Sequence, residues 1–146
     1  MKEVTIDYAL RATWQAITKI YNEEAKKFGS TMAVGFTLLS IDPKTGTPST
    51  ALGPIMGMEA TSLSRILKSM EEKGLIERKP NPSDGRGVLI YLTDFGLEKR
   101  NDSKDVVLNF NEAIRNNVSE EKLNAFFEVT EIINQLISEK KIFNTN

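Results

Sequence analysis

The stretch Pro80-Asn81-Pro82-Ser83-Asp84-Gly85-Arg86-Gly87 constrains this chain most. Two prolines, two glycines, Asn, Asp and Ser within eight residues exclude a helix and favour a turn. On either side stand Leu75-Ile76-Glu77-Arg78-Lys79 and Val88-Leu89-Ile90-Tyr91-Leu92. Their β-branched and aromatic residues predict two short strands, so the whole reads as a β-hairpin with a long tip. Most of the remaining chain has helical periodicity, which makes this hairpin a small β element in a mainly α protein.

Leu10, Trp14, Ile17, Tyr21 and Phe28 form one stripe and predict a first helix over about 7–28, ended by Gly29. Ser30 is placed to cap a second helix, about 31–41, apolar nearly all round. Residues 42–48 read as a loop. Thr47 and Pro48 read as the N-cap and first residue of a short helix, with Leu52, Ile55 and Met56 inward. After Gly57, Leu63, Ile66, Leu67 and Met70 line one face of a helix over about 59–73, closed by Gly74. Thr93 caps a long helix over about 94–116. Ser119 caps a last one to about 141, with Val118 and Leu123 at staple positions. Residues 144–146 are expected to fray.

The central residues 31–93 therefore read as a helix-turn-helix followed by a wing. Residues 1–30 and 94–146 supply long amphipathic helices that so small a centre cannot cover. They are expected to bury their apolar faces across a twofold dimer. The expected fold class is mainly α with a small β-hairpin wing: a winged helix-turn-helix plus a long helical dimerisation domain, one structural unit stabilised by dimerisation.

With 19 Lys+Arg against 20 Asp+Glu, the net charge of −1 does not announce a nucleic-acid binder. The distribution matters more. Residues 60–91 carry six basic and four acidic groups, whereas 101–146 carry five and eight. The acidic excess thus lies in the C-terminal helices, and specificity is expected to rest on a few placed groups with a modest salt dependence. The sequence has neither Cys nor His. Without them there is no disulfide, thiol chemistry, imidazole catalysis or zinc site of the usual kind, and no metal or cofactor is expected. There is no Gly-rich phosphate loop and no convincing carboxylate pair, so an enzyme is not expected. No apolar run approaches membrane-spanning length and the first residues lack a signal-peptide core, which implies a cytoplasmic protein.

On the helix before the hairpin, Thr61, Ser62, Ser64, Arg65 and Lys68 lie on or beside the face opposite the apolar stripe. A reading helix in the major groove needs small polar and basic groups there. Arg65 suits the guanine edge and Lys68 a phosphate. The other reading is a solvated helix face. Arg86, between two glycines, suits a narrow minor groove; a solvated loop arginine is the alternative. Asp84 either holds Arg86 or a nearby amide in place, or simply makes the turn.

Glu71-Glu72-Lys73-Gly74-Leu75-Ile76-Glu77-Arg78, Asp84-Gly85-Arg86 and Leu92-Thr93-Asp94-Phe95-Gly96 together resemble the MarR family of bacterial transcriptional regulators. The spacing of Asp84, Arg86, Leu92 and Thr93 matches that family's wing and its lead-in to the next helix. The resemblance extends over nearly the whole chain. It implies a homodimeric repressor that binds a pseudopalindromic double-stranded operator through recognition helices and wings. It also implies release by a small organic effector held between dimerisation helices and DNA-binding lobe. The residues available for an apolar or aromatic carboxylate effector are Trp14, Ile17, Met32 and Phe36, with Phe110 beside them. Gly53-Pro54 departs from the family pattern, and Pro54 should kink or shorten its helix, leaving the placement of Ser49 and Thr50 open. A winged-helix protein–protein module without DNA binding is the alternative function.

Overall fold

In the computed structural model the described residues are 3–143, apart from the side chains of Asp84 and Arg86. The expected fraying of 144–146 falls outside them. Among the described residues six helices and three strands follow in the order α1 (Ile6–Lys26), α2 (Met32–Ser40), β1 (Thr47–Pro48), α3 (Ser49–Met56), α4 (Ala60–Glu72), β2 (Ile76–Asn81), β3 (Asp84–Leu92), α5 (Asp94–Asn117) and α6 (Glu120–Ser138). The chain divides into two compact units between Val106 and Val107, within α5. The fold is mainly α with a small antiparallel sheet.

The first unit holds the core. Leu38 and Ile41 from the α2 region, Leu52 of α3, Leu63, Leu67 and Met70 of α4, and Leu75, Ile76 and Ile90 of the sheet region form one buried cluster. These are the apolar positions that helical and strand spacing predict, with two exceptions. Ile55 is 60% exposed rather than inward. Thr37, a polar residue, is fully buried because its hydroxyl donates back to the Ala33 carbonyl at 2.7 Å.

Two caps differ from expectation. Thr31, not Ser30, caps α2: its Oγ1 accepts from the Val34 amide at 3.2 Å, while the Ser30 amide donates to the Ala25 carbonyl and closes α1. Thr47 and Pro48 sit one position away from the expected register for α3: Pro48, not Thr47, is its N-cap and Ser49 its first residue. They form β1 and pair with Ile90 and Leu89, so the sheet has three strands in the order β1-β3-β2. The Thr47 hydroxyl accepts from the Asp42 amide at 2.8 Å, and this bond closes the loop onto the strand. Pro54 lies inside α3 without breaking it. Its missing donor orphans only the carbonyl of Thr50, an exposed residue that water can serve. The helix ends at Gly57, whose φ of 63° is left-handed.

In the second unit, Ser119 caps α6 by accepting from the Lys122 amide at 3.2 Å, and Leu123 is buried. Phe126, Phe127, Val129, Ile132 and Ile137 remain about half exposed. No helix among the described residues is long and apolar enough to cross a membrane.

Candidate nucleic-acid interface

Helix α4 is strongly two-sided. Leu63, Leu67 and Met70 are buried, while Thr61, Ser62, Ser64, Arg65 and Lys68 are all exposed. Neither Arg65 nor Lys68 forms an ion pair among the described residues, so both cations are available. Ser49 and Thr50 occupy the first turn of α3, the former half-buried and the latter exposed.

The end of α4 sets the position of the wing. The Leu75 amide donates to the Met70 carbonyl at 2.9 Å and the Gly74 amide to Glu71 at 3.0 Å. That pair of bonds is a Schellman cap, and it requires the left-handed φ of 73° at Gly74. Leu75 and Ile76, 5% and 2% exposed, then lead the chain from helix into β2. Arg78 Nε stands 3.5 Å from Glu71 and links β2 back to α4.

The wing is more regular than its composition suggests. β2 pairs with β3 from Ile76↔Leu92 to Asn81↔Asp84, with an irregularity at Pro80/Asn81. The turn is only Pro82–Ser83, steadied by the Ser83 amide donating to Asn81 Oδ1 at 3.0 Å. Pro80 is tolerated because β2 is an edge strand, where a missing backbone donor breaks no second ladder. The expected eight-residue tip is therefore corrected: Asp84 and Arg86 have strand backbones on β3, beside a two-residue turn. The side chains of Asp84 and Arg86 lie outside the described residues.

After the wing, Thr93 joins the sheet to α5. Its hydroxyl donates to the Gly74 carbonyl at 2.6 Å and accepts from the Gly96 amide at 3.0 Å, while its own amide donates to the Leu75 carbonyl at 3.1 Å. Gly96 is pressed against that carbonyl; a Cβ there would sit 1.9 Å from the Leu75 oxygen. The Leu-Thr-x-x-Gly pattern thus has a local cause: Thr93 staples the end of α4 to the start of α5, and Gly96 allows the approach.

Of the residues named for an effector, Trp14 is 51% exposed on α1, and Ile17, Met32 and Phe36 are half-buried. Phe36 stacks edge-on against Tyr21, with ring centroids 5.5 Å apart. The Met32 amide donates to Asn22 Oδ1 at 3.0 Å, joining α1 to α2. Phe110 belongs to the second unit. A cavity of about 290 Å³ lies elsewhere in the first unit, lined by residues that include Phe28, Lys73, Phe95 and Lys99. Sequence reading missed it because these residues are far apart in the chain and share no local pattern.

Residues 31–88, the span from α2 into the second wing strand, match the family model described as the MarR family. Over this span the chain is similar to the MarR family. Multiple antibiotic resistance protein MarR of Escherichia coli is 33% identical over 78 residues, which is 53% of this chain and 54% of that protein. The chain spans about half the length of the curated relatives it matches. Among solved structures, S. aureus MepR in a DNA complex matches with a TM-score of 0.82 at 20% identity, over 92% of this chain and 100% of that one. PcaV from Streptomyces coelicolor, in complex with its natural ligand, matches at 0.77 and 19% identity, over 92% and 98%. At such identities these structures establish the winged-helix fold.

Proposed function

We propose that this chain is a sequence-specific double-stranded DNA-binding transcriptional repressor acting as a homodimer. The observation that carries this reading is the α4 surface: five exposed polar and basic side chains opposite three buried apolar ones, beside a β wing. In this reading Thr61, Ser62 and Ser64 let the helix backbone approach the major groove, Arg65 reads a guanine edge and Lys68 holds a phosphate. Arg86 enters the flanking minor groove and Asp84 orients it.

Residues 31–93 form the DNA-binding region. Residues 1–30 and 94–146 form the dimerisation region, which places two copies of α4 about one helical turn apart on a pseudopalindromic operator. The half-exposed apolar row on α6 supports this assignment, because a monomer gains nothing by leaving such a surface in water. The effector is a small apolar or aromatic carboxylate taken up beside Trp14, Ile17, Met32 and Phe36. It releases DNA only by preferring the arrangement of lobes that does not fit the operator.

The test is a gel shift of the purified chain on DNA from upstream of its own coding region, at low and moderate salt. Retarded complex that weakens with salt is expected. Absence of a complex even at low salt would overturn the reading and favour a winged-helix protein–protein module.

A further inference from the structure

The outer face of the sheet has no part in the DNA-binding reading. Across β2 and β3, Glu77 stands opposite Tyr91 and Lys79 opposite Leu89. Side chains alternate between the two faces of a strand. Ile76 and Ile90 are buried in the core, so Glu77, Lys79 and Tyr91 share the face turned away from it. β1 adds a third row, with Thr47 opposite Ile90. Carrying that register back by one residue places Gly46 opposite Tyr91.

The Tyr91 ring occupies the space above that glycine. A Cβ at Gly46 would lie 2.8 Å from Tyr91 Cε1 and 2.9 Å from Cδ1, so the ring rests on bare backbone. The φ of 72° at Gly46 makes the same demand for glycine. From β2, Lys79 Nζ stands 5.0 Å from the ring centre, reaching diagonally across the strands. The Glu77 carboxylate, 4.0 Å from the same Nζ, is a weak partner because both side chains are exposed. The glycine end of the contact is stiff. The Gly46 amide donates to the Asp42 carbonyl at 3.1 Å, and Thr47 Oγ1 accepts from the Asp42 amide at 2.8 Å. Asp42 Oδ1 in turn accepts from the Lys44 and Thr45 amides. One ring therefore joins a rigid loop, β3 and β2 at the base of the wing.

We infer that Tyr91 is a positioning residue of the wing. Its ring, seated on Gly46 and beneath Lys79, sets the angle at which the wing projects, and through that angle the reach of Arg86 to DNA. The effect on DNA rests on the DNA-binding reading, in which Arg86 is the wing's contact. Arg86 is five residues from Tyr91 along β3, about 17 Å of strand. A swing of about 10° at the base moves the far end by about 3 Å, the length of a whole hydrogen bond. The backbone alone resists such a swing weakly, because β2 is an edge strand and β1 is only two residues long. The contacts are made by ring atoms, so phenylalanine keeps them and alanine does not.

The experiment is a double-variant cycle on DNA binding, with the angle of the wing read separately. The probe is a duplex from upstream of the chain's own coding region, in a gel shift at one salt concentration. Tyr91→Ala is expected to lower affinity about tenfold, as Arg86→Ala does, and Tyr91→Phe to stay within about twofold of the parent. The variant carrying both Tyr91→Ala and Arg86→Ala should bind no more weakly than Arg86→Ala alone, because the ring acts through the arginine. A further loss in the double variant would overturn the inference, since a role in stability alone adds to the loss of Arg86. Full affinity in Tyr91→Ala, or a tenfold loss in Tyr91→Phe, would do the same. Without DNA, residual dipolar couplings of the Gly85 and Gly87 amides report the wing's direction relative to α4. In Tyr91→Ala these couplings should change while those of Leu63 and Leu67 keep their parent values. Unchanged wing couplings sink the inference, and so does a change that spreads to α4, which would make Tyr91 a support of the whole core. A parent chain that forms no DNA complex, with wing couplings that still answer to Tyr91→Ala, defeats the DNA-binding reading and leaves the ring's hold on the wing standing.

Discussion

Replacing Gly96 with Ala sets two effects of opposite sign against each other. Gly96 is in the first turn of α5, and alanine there gains about 1 kcal/mol of helix propensity. Against this, the new Cβ would lie 1.9 Å from the Leu75 carbonyl oxygen and 2.9 Å from its carbon. Both atoms are backbone, so no side-chain rotation relieves the clash, and α5 must back away by about an ångström or more. That movement strikes the bonds from the Thr93 amide to Leu75 and from the Thr93 hydroxyl to Gly74. Their loss costs about 1 kcal/mol each. Loosening the packing around buried Leu75 costs about another 1–2 kcal/mol. The net is a destabilisation of about 2–3 kcal/mol, which lowers the melting temperature by about 6–10 °C in a chain of this size. Thermal and urea denaturation followed by helical circular dichroism, at one fixed protein concentration, would measure it. Gly85→Ala is the control: nothing lies within 4 Å of its Cβ position, and a change within about 0.5 kcal/mol is expected. A Gly96→Ala protein that melts at or above the parent temperature would refute the close approach and leave propensity as the deciding effect.

Arg86→Ala should lower operator affinity at least about tenfold with no change in melting temperature; unchanged affinity in a gel shift would remove the wing from the interface. Arg65→Ala should cost about 1–3 kcal/mol and relax preference at one base pair, and equal weakening on all sequences would make Arg65 a phosphate contact. Ile132→Asp, on the exposed apolar row of α6, should convert dimer to monomer in sedimentation analysis; a parent chain that is itself a soluble monomer would end the dimer reading. Asp42 accepts from the Lys44 and Thr45 amides at 2.8 and 3.0 Å, and these bonds, the Thr45 one first, hold its carboxyl below the usual range. A lowered folded-state pKa means its contribution is full above the unfolded-state value of about 3.9 and is lost as pH falls through the folded one. The melting temperature of Asp42→Asn should therefore trail the parent at neutral pH and converge on it in acid; a gap independent of pH would contradict this.

Much of the candidate interface is legible in the amino-acid sequence, because its signals are local. The apolar stripe of α4 and the glycine that ends it act within one or two turns of backbone, as does Thr93 where it accepts from the Gly96 amide; its bond to the Gly74 carbonyl, 19 residues back, is not local. Ser119 at the start of α6 acts locally too. Exposure of Thr61, Ser62, Ser64, Arg65 and Lys68 follows from the same periodicity once Leu63, Leu67 and Met70 are buried. Where local signals compete, they mislead by little: Ser30 and Thr31 are both good caps, and the closing bond of α1 claims the Ser30 amide.

Local patterning is enough to specify the helices, the existence of a hairpin and the polar face of α4, since i to i+4 spacing and capping chemistry need no distant partner. Long-range packing is what makes Thr47–Pro48 a strand, for two residues have no period and their partners Ile90 and Leu89 lie some forty positions away. It also decided that the Pro- and Gly-rich segment pairs almost to its turn, because an edge strand forgives a proline that a central strand would not. The remaining case is the cavity that gathers Phe28, Lys73, Phe95 and Lys99. Four separate segments contribute to it, and only the packing of α1, α2, α4 and α5 brings them to one wall.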